Sequence, residues 1–339
     1  MTMTLNIPPD FEMPSPVERD SAHTPDARRG ELSLTLGLRY GGEAEVVVRY
    51  ELLGREGAPL LIVAGGISAG RHVLSSAEFA EQGWWQAQAA SLDQSRFRIL
   101  AIDWIGANGL LDAAIDPADQ AEALVQVLDA LGMGKAAGYI GASYGGMVGM
   151  HVAARHPQRI GALLAISAAA CAHPFSSACR SLQRRAVALG EHGGDPAAGV
   201  ALARALAMLT YRTPEEFADR FASEPTVDCG TVRVAAEDYL DHHGTRHCQR
   251  MSAAAYRRLS ESIDLHRIDP EAIALPLTLV AVDSDALVPA ADVRAFADAV
   301  PGACFHLLHS RYGHDAFLKE EGQVAAVINE FLETLELAQ

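Results

Sequence analysis

Five short runs of apolar residues restrict the possible fold of this 339-residue chain more than any other feature of its sequence. The runs occupy residues 59–64, 98–103, 138–140, 160–166 and 277–282. Strands that are apolar on both faces are typical of a parallel sheet covered by helices on each side. Amphipathic segments separate the runs, and the clearest has Asp116 as its N-cap, Pro117 at its first helical position and Gly132 at its end. This alternation predicts an α/β fold with a doubly wound, mostly parallel sheet.

The N-terminal part of the chain departs from this pattern. Residues 1–30 are rich in Pro, Asp, Arg and Ser and have no apolar periodicity, which predicts a flexible tail. Residues 32–36 then alternate strictly, and a Val-rich run at 44–50 follows Gly41 and Gly42. Two such runs around a glycine turn predict an antiparallel hairpin at the start of the sheet.

The alternation also fails at residues 171–269, where the sequence predicts several short helices and no strand. The predicted helices cover residues 181–189, 197–209, 214–221 and 253–263. Because the sheet pattern resumes after this stretch, we interpret it as a helical cap inserted over the carboxyl edge of the sheet. The predicted organisation is a tail at 1–30, a core at 31–170 and 270–339, and the cap at 171–269.

Composition restricts the possible partners of the chain. Its net charge of −16 argues against nucleic acid, because no surplus of cations can replace phosphate counterions, although local arginines can still make one pocket positive. No apolar run approaches the ~20 residues that span a bilayer, and the first ten residues lack a basic start, so we expect no membrane partner and a cytoplasmic location. The five cysteines are scattered without a Cys-x-x-Cys pair, and no histidine has metal-ligand spacing, so we expect no disulfide framework and no metal site.

Ser143 stands between a predicted strand and a predicted helix, in the motif Gly141-Ala142-Ser143-Tyr144-Gly145. A Gly-x-Ser-x-Gly sequence in that context is typical of a nucleophile on a tight strand-to-helix turn. The glycines leave room for neighbouring backbone, and the helix N-terminus favours negative charge that develops at the serine. We therefore predict that Ser143 is a catalytic nucleophile.

The chain also offers an acid and a base in the order that this fold requires. A serine hydroxyl is activated when a histidine removes its proton and a carboxylate orients that histidine, and here the order is serine, acid, histidine. Asp285 lies in the loop after the last of the five runs and is the favoured acid, with Asp283 as a weaker candidate. His314 lies in the loop after one further strand and is the predicted base, whereas His306 and His309 fit that strand as sheet histidines.

Two backbone N–H groups are expected to form the oxyanion hole. One belongs to Tyr144, the residue after the nucleophile, and the other to the loop after an early strand. Gly65 to Gly70 form that loop, in which Ile67 is the favoured donor and Gly66 is almost equally suitable. No Lys-Ser/Thr pair follows these glycines, so the loop is not a Walker phosphate loop.

Four segments resemble the homoserine O-acyltransferase family of the α/β-hydrolase fold. They are residues 209–217, 239–244, 284–289 and 312–318. The resemblance extends from about Leu32 to the C-terminus and is most specific around Arg212 and His314. It implies transfer of an acyl group from acyl-CoA to the side-chain hydroxyl of homoserine, in methionine biosynthesis, by a ping-pong mechanism. It further implies a homodimer, with acyl-CoA as a co-substrate and no permanently bound cofactor.

The family resemblance also assigns residues to the two substrates. It implies that Arg212 holds the carboxylate of homoserine and that Asp315 holds its ammonium group, pairings that suit a guanidinium and a carboxylate. Tyr144 replaces the Met of acetyl-transferring members, and residues 65–69 differ from their His-Ala-Leu-Thr-Gly, so the chain is similar to the succinyl-transferring branch. Arg311 could pair with the second carboxylate of a succinyl group, since a buried carboxylate needs a partner.

Other functions remain open at this stage. A homoserine O-acetyltransferase would use the same residues, and a serine O-acyltransferase differs by one methylene, worth only ~1–3 kcal/mol of discrimination. A hydrolase with the same triad would have no need of both Arg212 and Asp315. A non-catalytic protein of this fold commonly lacks a triad member, and here none is missing.

Overall fold

The computed structural model describes residues 27–337 and contains ten strands. In chain order they are β1 (Arg28–Leu38), β2 (Gly42–Leu53), β3 (Leu60–Ala64), β4 (Arg98–Ile102), β5 (Gly138–Ala142), β6 (Leu163–Ile166), β7 (Thr226–Asp228), β8 (Thr231–Arg233), β9 (Leu277–Val282) and β10 (Cys304–Leu308). Eight of them form one sheet in the order β1-β2-β4-β3-β5-β6-β9-β10. The pairs β1–β2 and β2–β4 are antiparallel and the remaining pairs are parallel. The predicted α/β fold with a mostly parallel sheet is confirmed.

Ten helices accompany the strands among the described residues. They are α1 (Pro117–Ala130), α2 (Tyr144–Arg155), α3 (Pro174–His192), α4 (Pro196–Tyr211), α5 (Pro214–Phe221), α6 (Ala236–Cys248), α7 (Ala253–Leu265), α8 (Ala290–Ala299), α9 (Ala316–Lys319) and α10 (Glu321–Leu337). Helix α1 begins as the sequence predicts, since Asp116 accepts a hydrogen bond from the backbone of Asp119 and Asp119 reciprocates. This reciprocal cap satisfies two N–H groups that the helix itself cannot bond.

The two faces of the sheet bury separate hydrophobic clusters. Successive side chains of a strand point to opposite faces, and in β3 Ile62 belongs to one cluster while Leu61 and Val63 belong to the other. Helices α1, α2 and α8 cover the first face, and α10 covers the second. This arrangement explains why the central strands are apolar along their whole length.

The sequence between β6 and β9 forms a helical insertion that comprises α3 to α7 and the short β7–β8 hairpin. The expectation of no strand in this stretch was wrong, because residues 226–228 and 231–233 pair antiparallel. Cys229 and Gly230 connect them with φ of 48° and 81°, as in a two-residue hairpin turn that needs positive φ at both positions. Helix α6 was also absent from the predicted helices. The division of the chain into core and cap stays a prediction.

The described structure starts at the edge of the main sheet. Strand β1 begins at Arg28, so the last residues assigned to the tail are part of the sheet, and residues 1–26 lie outside the described residues. Within residues 27–337, none of the helices combines the length and apolar character needed to cross a membrane.

Candidate active site

Ser143 occupies the turn between β5 and α2 in a strained conformation. Its φ of 54° is rare for a residue with a side chain, and its backbone N–H donates to the carbonyl of Ile166 at 2.7 Å. A Cβ atom on Gly141 would lie 2.5 Å from the carbonyl carbon of Gly145, and one on Gly145 would lie 2.3 Å from the carbonyl oxygen of Ala64. The turn therefore requires both glycines, as the motif predicts.

The side chains of Ser143, His314 and Asp285 form a continuous hydrogen-bonded chain. Ser143 Oγ lies 2.8 Å from His314 Nε2, and His314 Nδ1 lies 2.7 Å from Asp285 Oδ2. The other oxygen of Asp285 accepts from the backbone N–H groups of Leu287 and Val288 at 2.8 and 3.0 Å. The structure thus brings together the three residues proposed from chain order, and it fixes the carboxylate in a turn.

The protonation of His314 is set by two opposing effects. Burial would lower its pKa, but the charge of Asp285 and the hydrogen bond between them outweigh burial, so the pKa of His314 lies above its ordinary value. A histidine with this partner is poised to accept a proton from Ser143 and to be stabilised as an imidazolium. Tyr211, at the end of α4, stacks on His314 with ring centroids 5.8 Å apart.

The weaker acid candidate, Asp283, lies elsewhere. Its Oδ2 is 2.8 Å from His309 Nδ1, and its Oδ1 accepts from the backbone of Ser310. Burial would raise the pKa of Asp283, but these hydrogen bonds outweigh burial and hold the pKa below its ordinary value. Asp283 therefore joins two loops and does not contact His314. His306, in β10, also lies elsewhere, with its Nε2 atom 3.9 Å from Glu330 Oε1.

The N–H groups expected in the oxyanion hole are available. Within residues 27–337 the backbone N–H groups of Tyr144, Gly66 and Ile67 have no acceptor, and Gly66 and Ile67 line a cavity together with Ser143. Gly145 N donates to Gly65 O at 2.9 Å, which holds the loop against the nucleophile turn. Gly66 and Ile67 therefore both lie beside Ser143, where either N–H group could serve as the second oxyanion donor.

The side chain of Tyr144 does not line the cavities at Ser143. It is fully buried, its hydroxyl lies 2.6 Å from that of Ser262 on α7, and its ring meets Trp104 edge-on at 5.1 Å. Burial raises the pKa of Tyr144, so the phenol stays neutral. In this structure Tyr144 connects the nucleophile turn to the helical insertion.

Arg212 and Asp315 lie beside the hydrogen-bonded chain and contact each other. An Arg212 terminal nitrogen is 3.0 Å from Asp315 Oδ2, and another is 3.1 Å from Glu216. Burial would lower the pKa of Arg212, but the charge of Asp315 and the charge and hydrogen bond of Glu216 outweigh burial and raise it. Burial raises the pKa of Asp315 against the pull of Arg212. Asp315 lines a cavity with Ser143 and His314.

Two buried donors beside this ion pair have no partner. Within the part of the chain that the structure describes, Arg212 Nε and the hydroxyl of Tyr239 are buried without a hydrogen bond. Leaving a buried polar atom without a partner costs ~1–3 kcal/mol of stability. Neither Arg212 nor Tyr239 lines the cavities at Ser143. The sequence includes Tyr239 in the resembling segment 239–244, but nothing in its pattern indicates this buried hydroxyl.

The structure does not bring Arg311 to the site. Its guanidinium is half exposed and forms an ion pair with Asp219 on α5 at 2.5 Å, and it does not line the cavities at Ser143. The carboxylate of Asp219 attracts the side chain outward into solvent. Only the backbone of Arg311 supports the site, since its carbonyl accepts from the hydroxyl of Thr213 at 2.7 Å.

A different arginine, Arg204 on α4, lines the space in front of the nucleophile. We call this space the nucleophile cavity; it lies between the sheet and the insertion and includes Ile67, Ser143, His314 and Tyr211 in its wall. The Arg204 guanidinium lies over the ring of Tyr211, 5.0 Å from its centroid. Arg204 is the lone charged residue of α4, and this isolated charge in an apolar helix was the signal that sequence reasoning missed.

Among the described residues, no group of three or more His, Cys, Asp and Glu side chains is arranged to hold a metal ion. The five cysteines are free thiols. The hydrogen-bonded chain of Ser143, His314 and Asp285 supports nucleophilic attack by Ser143 with His314 as base.

Comparison with known proteins bears on both fold and activity. A sequence model of the α/β hydrolase fold matches residues 59–321. The chain is 50% identical over 314 residues to a homoserine O-succinyltransferase of Xanthomonas campestris, covering 91% of this chain and 85% of that relative. It is 33% identical to a homoserine O-acetyltransferase of Thermus thermophilus, covering 75% and 73%, and 30% identical to a serine O-succinyltransferase of Litchfieldella anticariensis, covering 91% and 99%.

Solved structures agree with the fold. The crystal structure of a homoserine O-acetyltransferase from Bacillus anthracis superposes with a TM-score of 0.81 at 16% identity, covering 90% of this chain and 97% of that chain. The esterase E22 superposes with a TM-score of 0.80 at 14% identity, covering 91% and 100%. At such low identity these two likenesses concern the fold alone.

Proposed function

Because this chain belongs to the homoserine O-acyltransferase family of the α/β-hydrolase fold, we propose that it transfers an acyl group from acyl-CoA to the side-chain hydroxyl of homoserine. Succinyl-CoA is the favoured donor, since the relative from Xanthomonas campestris, at 50% identity, is a homoserine O-succinyltransferase. The observation that carries the proposal is the pair Arg212–Asp315, which lies beside His314 and has the buried, unpartnered Arg212 Nε. A homodimer and a cytoplasmic location stay predictions.

In the first half-reaction Ser143 takes up the acyl group. His314 Nε2 accepts the proton of Ser143 Oγ, at 2.8 Å, while Oγ attacks the thioester carbonyl carbon. The N–H groups of Tyr144 and of Ile67 or Gly66 stabilise the negative oxygen, and each such donor contributes about 10²–10³-fold to the rate. When the intermediate collapses, the C–S bond breaks, and His314 returns the proton to the CoA thiolate. The acyl group is then an ester of Ser143.

In the second half-reaction homoserine takes the place of CoA. Its carboxylate pairs with Arg212 and its ammonium group with Asp315, which places the side-chain hydroxyl near His314. His314 removes the hydroxyl proton as the oxygen attacks the acyl ester. The bond to Ser143 Oγ then breaks, Oγ recovers the proton from His314, and O-acylhomoserine leaves. Asp285 holds His314 in the tautomer that both steps require.

A thiol assay of CoA release tests the proposal by crossing acetyl-CoA and succinyl-CoA with homoserine, with serine and with no acceptor. We expect the highest kcat/KM with succinyl-CoA and homoserine, and no activity from Ser143→Ala with any pair. Release at the full rate without an acceptor would contradict acyl transfer and indicate a hydrolase. Faster turnover of serine than of homoserine would correct the acceptor, as the relative from Litchfieldella anticariensis is a serine O-succinyltransferase.

A further inference from the structure

A second cavity, next to the nucleophile cavity, is lined by three arginines. We call it the arginine cavity and define it by Arg204, Arg246 and Arg250, together with the loop from Ser68 to Gly70. Within residues 27–337 these arginine side chains form no ion pair, and no acidic side chain hydrogen-bonds to them. No acidic side chain of the described residues therefore neutralises their charges.

Asp103, the acidic residue in the wall of this cavity, is already paired with Arg71. Asp103 accepts from the Arg71 side chain and from the Arg71 backbone N–H, both at 2.8 Å. Its charge is thus matched by Arg71, and the three arginines of the cavity remain as an excess. This local positive potential is opposite in sign to the net charge of −16 of the chain. A cluster of three positive charges attracts an anion that carries several negative charges.

Two histidines in the wall add hydrogen-bonding groups without adding charge. Burial, followed by the charge of Arg204, lowers the pKa of His243 to about 4 and that of His247 to about 3. Both rings are therefore neutral near pH 7, and each retains one N–H donor. The cavity thus offers guanidinium forks and neutral donors, which are the groups that recognise phosphate oxygens.

The arginine cavity adjoins the nucleophile cavity. Both are lined by the same residues at their junction, namely Ile67, Ser68, Arg204, His247 and Met251. A molecule with an anionic end among the arginines can therefore extend past Ile67 and place its other end at Ser143. Acyl-CoA has this form, because a flexible arm separates its diphosphate and 3′-phosphate from its thioester.

We propose that the arginine cavity binds the phosphate groups of the acyl-CoA donor, with Arg246 and Arg250 as their main partners and Arg204 at the junction. The inference rests on the proposed function, whose donor it places in the structure. The pantetheine arm passes Ile67 and Ser68 and brings the thioester carbonyl to Ser143 and the oxyanion donors. The ion pair Arg212–Asp315, which is proposed to bind homoserine, does not line the arginine cavity. Different arginines therefore bind the phosphates of the donor and the carboxylate of the acceptor.

The variants Arg246→Gln and Arg250→Gln test the proposal when succinyl-CoA is compared with succinyl-pantetheine, which has the same thioester but no phosphate. We expect each variant to raise KM for succinyl-CoA about tenfold relative to KM for succinyl-pantetheine, as loss of a charge-assisted hydrogen bond implies. Arg55→Gln is the matched control, because Arg55 is an exposed arginine before β3, at the opposite end of the strands from Ser143. Arg204 stays intact, since it lines both cavities.

Titration calorimetry with CoA itself gives a readout that does not depend on turnover. The wild type should bind CoA more tightly than pantetheine, and the double variant should lose most of that difference. Equal losses with succinyl-CoA and succinyl-pantetheine, or unchanged KM in both variants, would overturn the phosphate site while leaving the proposed function intact. If no acyl-CoA is turned over but CoA binding still depends on Arg246 and Arg250, the proposed function fails and the phosphate site stands.

Discussion

The hydroxyl of Tyr144 lies 2.6 Å from the hydroxyl of Ser262, and this contact joins the residue after the nucleophile to helix α7 of the insertion. Both residues are fully buried, so neither hydroxyl can turn to water. Tyr144→Phe should lower the free energy of unfolding by ~1–3 kcal/mol, because Ser262 loses its partner. Adding Ser262→Ala should recover part of this loss in chemical denaturation, and an additive second loss would show that the contact is not a coupled pair.

Asp285→Asn should slow turnover and move its pH dependence. We expect kcat to fall on the order of 10⁴-fold, since the amide cannot stabilise the His314 imidazolium. In the wild type the raised pKa keeps His314 protonated, and hence inactive as a base, up to a higher pH than an ordinary histidine. In the variant burial remains and the raising charge is lost, so the acid limb of log kcat against pH should shift to lower pH. Asp283→Asn, which changes contacts with His309 and Ser310 and none with His314, should leave both unchanged.

Arg212→Lys should weaken acceptor binding specifically. A lysine cannot replace the fork between Asp315 and the incoming carboxylate, so KM for homoserine should rise about ten- to a hundredfold. CoA release in the first turnover, before homoserine reacts, should persist in a rapid-mixing experiment. The control is Arg220→Lys, which alters the more exposed arginine that also pairs with Glu216. An equal rise in KM for homoserine in both variants would argue for a structural effect of the Glu216 network.

Arg311→Leu should leave donor preference unchanged. Its guanidinium pairs with Asp219 in a half-exposed position away from the nucleophile cavity, so no charge near the acyl group is lost. The measurement is the ratio of kcat/KM for succinyl-CoA to that for acetyl-CoA. An increase in the relative use of acetyl-CoA would reinstate the sequence-based assignment of Arg311 to the succinyl carboxylate.

Gly141→Ala should destabilise the fold by about 2–4 kcal/mol, because its new Cβ would lie 2.5 Å from backbone of Gly145. Gly37→Ala is the matched control, since no atom lies within 4 Å of the corresponding Cβ position in β1. Thermal unfolding of the two variants checks this difference. Equal melting temperatures would show that the nucleophile turn can relax around a methyl group.

The parts of the site that were predictable from sequence are those set by local backbone. Ser143, Asp285 and His314 each lie in a turn that follows a strand, and the parallel sheet brings these turns to one edge, so their order and spacing were sufficient. Gly141 is likewise required by a contact within the nucleophile turn, whereas Gly145 is required by the close backbone of Ala64 and Gly65. The β7–β8 hairpin was missed because its strands are exposed throughout, which leaves no apolar alternation to detect.

The arginines show where local reasoning fails. The direction of Arg311 is decided by Asp219, 92 residues earlier in the chain, and no local pattern indicates that partner. Arg204, Arg246 and Arg250 come from α4 and from the end of α6 and beyond, and they converge only through the packing of the insertion. Charge on a helix surface is usually solvated, so a sequence alone gives no reason to group these three.

On the proposed function, the contact between Arg212 and Asp315 selects the acceptor. Each group neutralises the other in this structure, and homoserine would separate them as it binds. An amino acid carries both a carboxylate and an ammonium group, so it gives each a new partner and leaves no charge alone. An alcohol with only one of these charges would separate the pair without replacing both partners, which would leave Asp315 buried and unpaired or Arg212 with Glu216 alone. On the proposed function, rejection of such alcohols therefore begins at this ion pair, before any fit to the length of the side chain is considered.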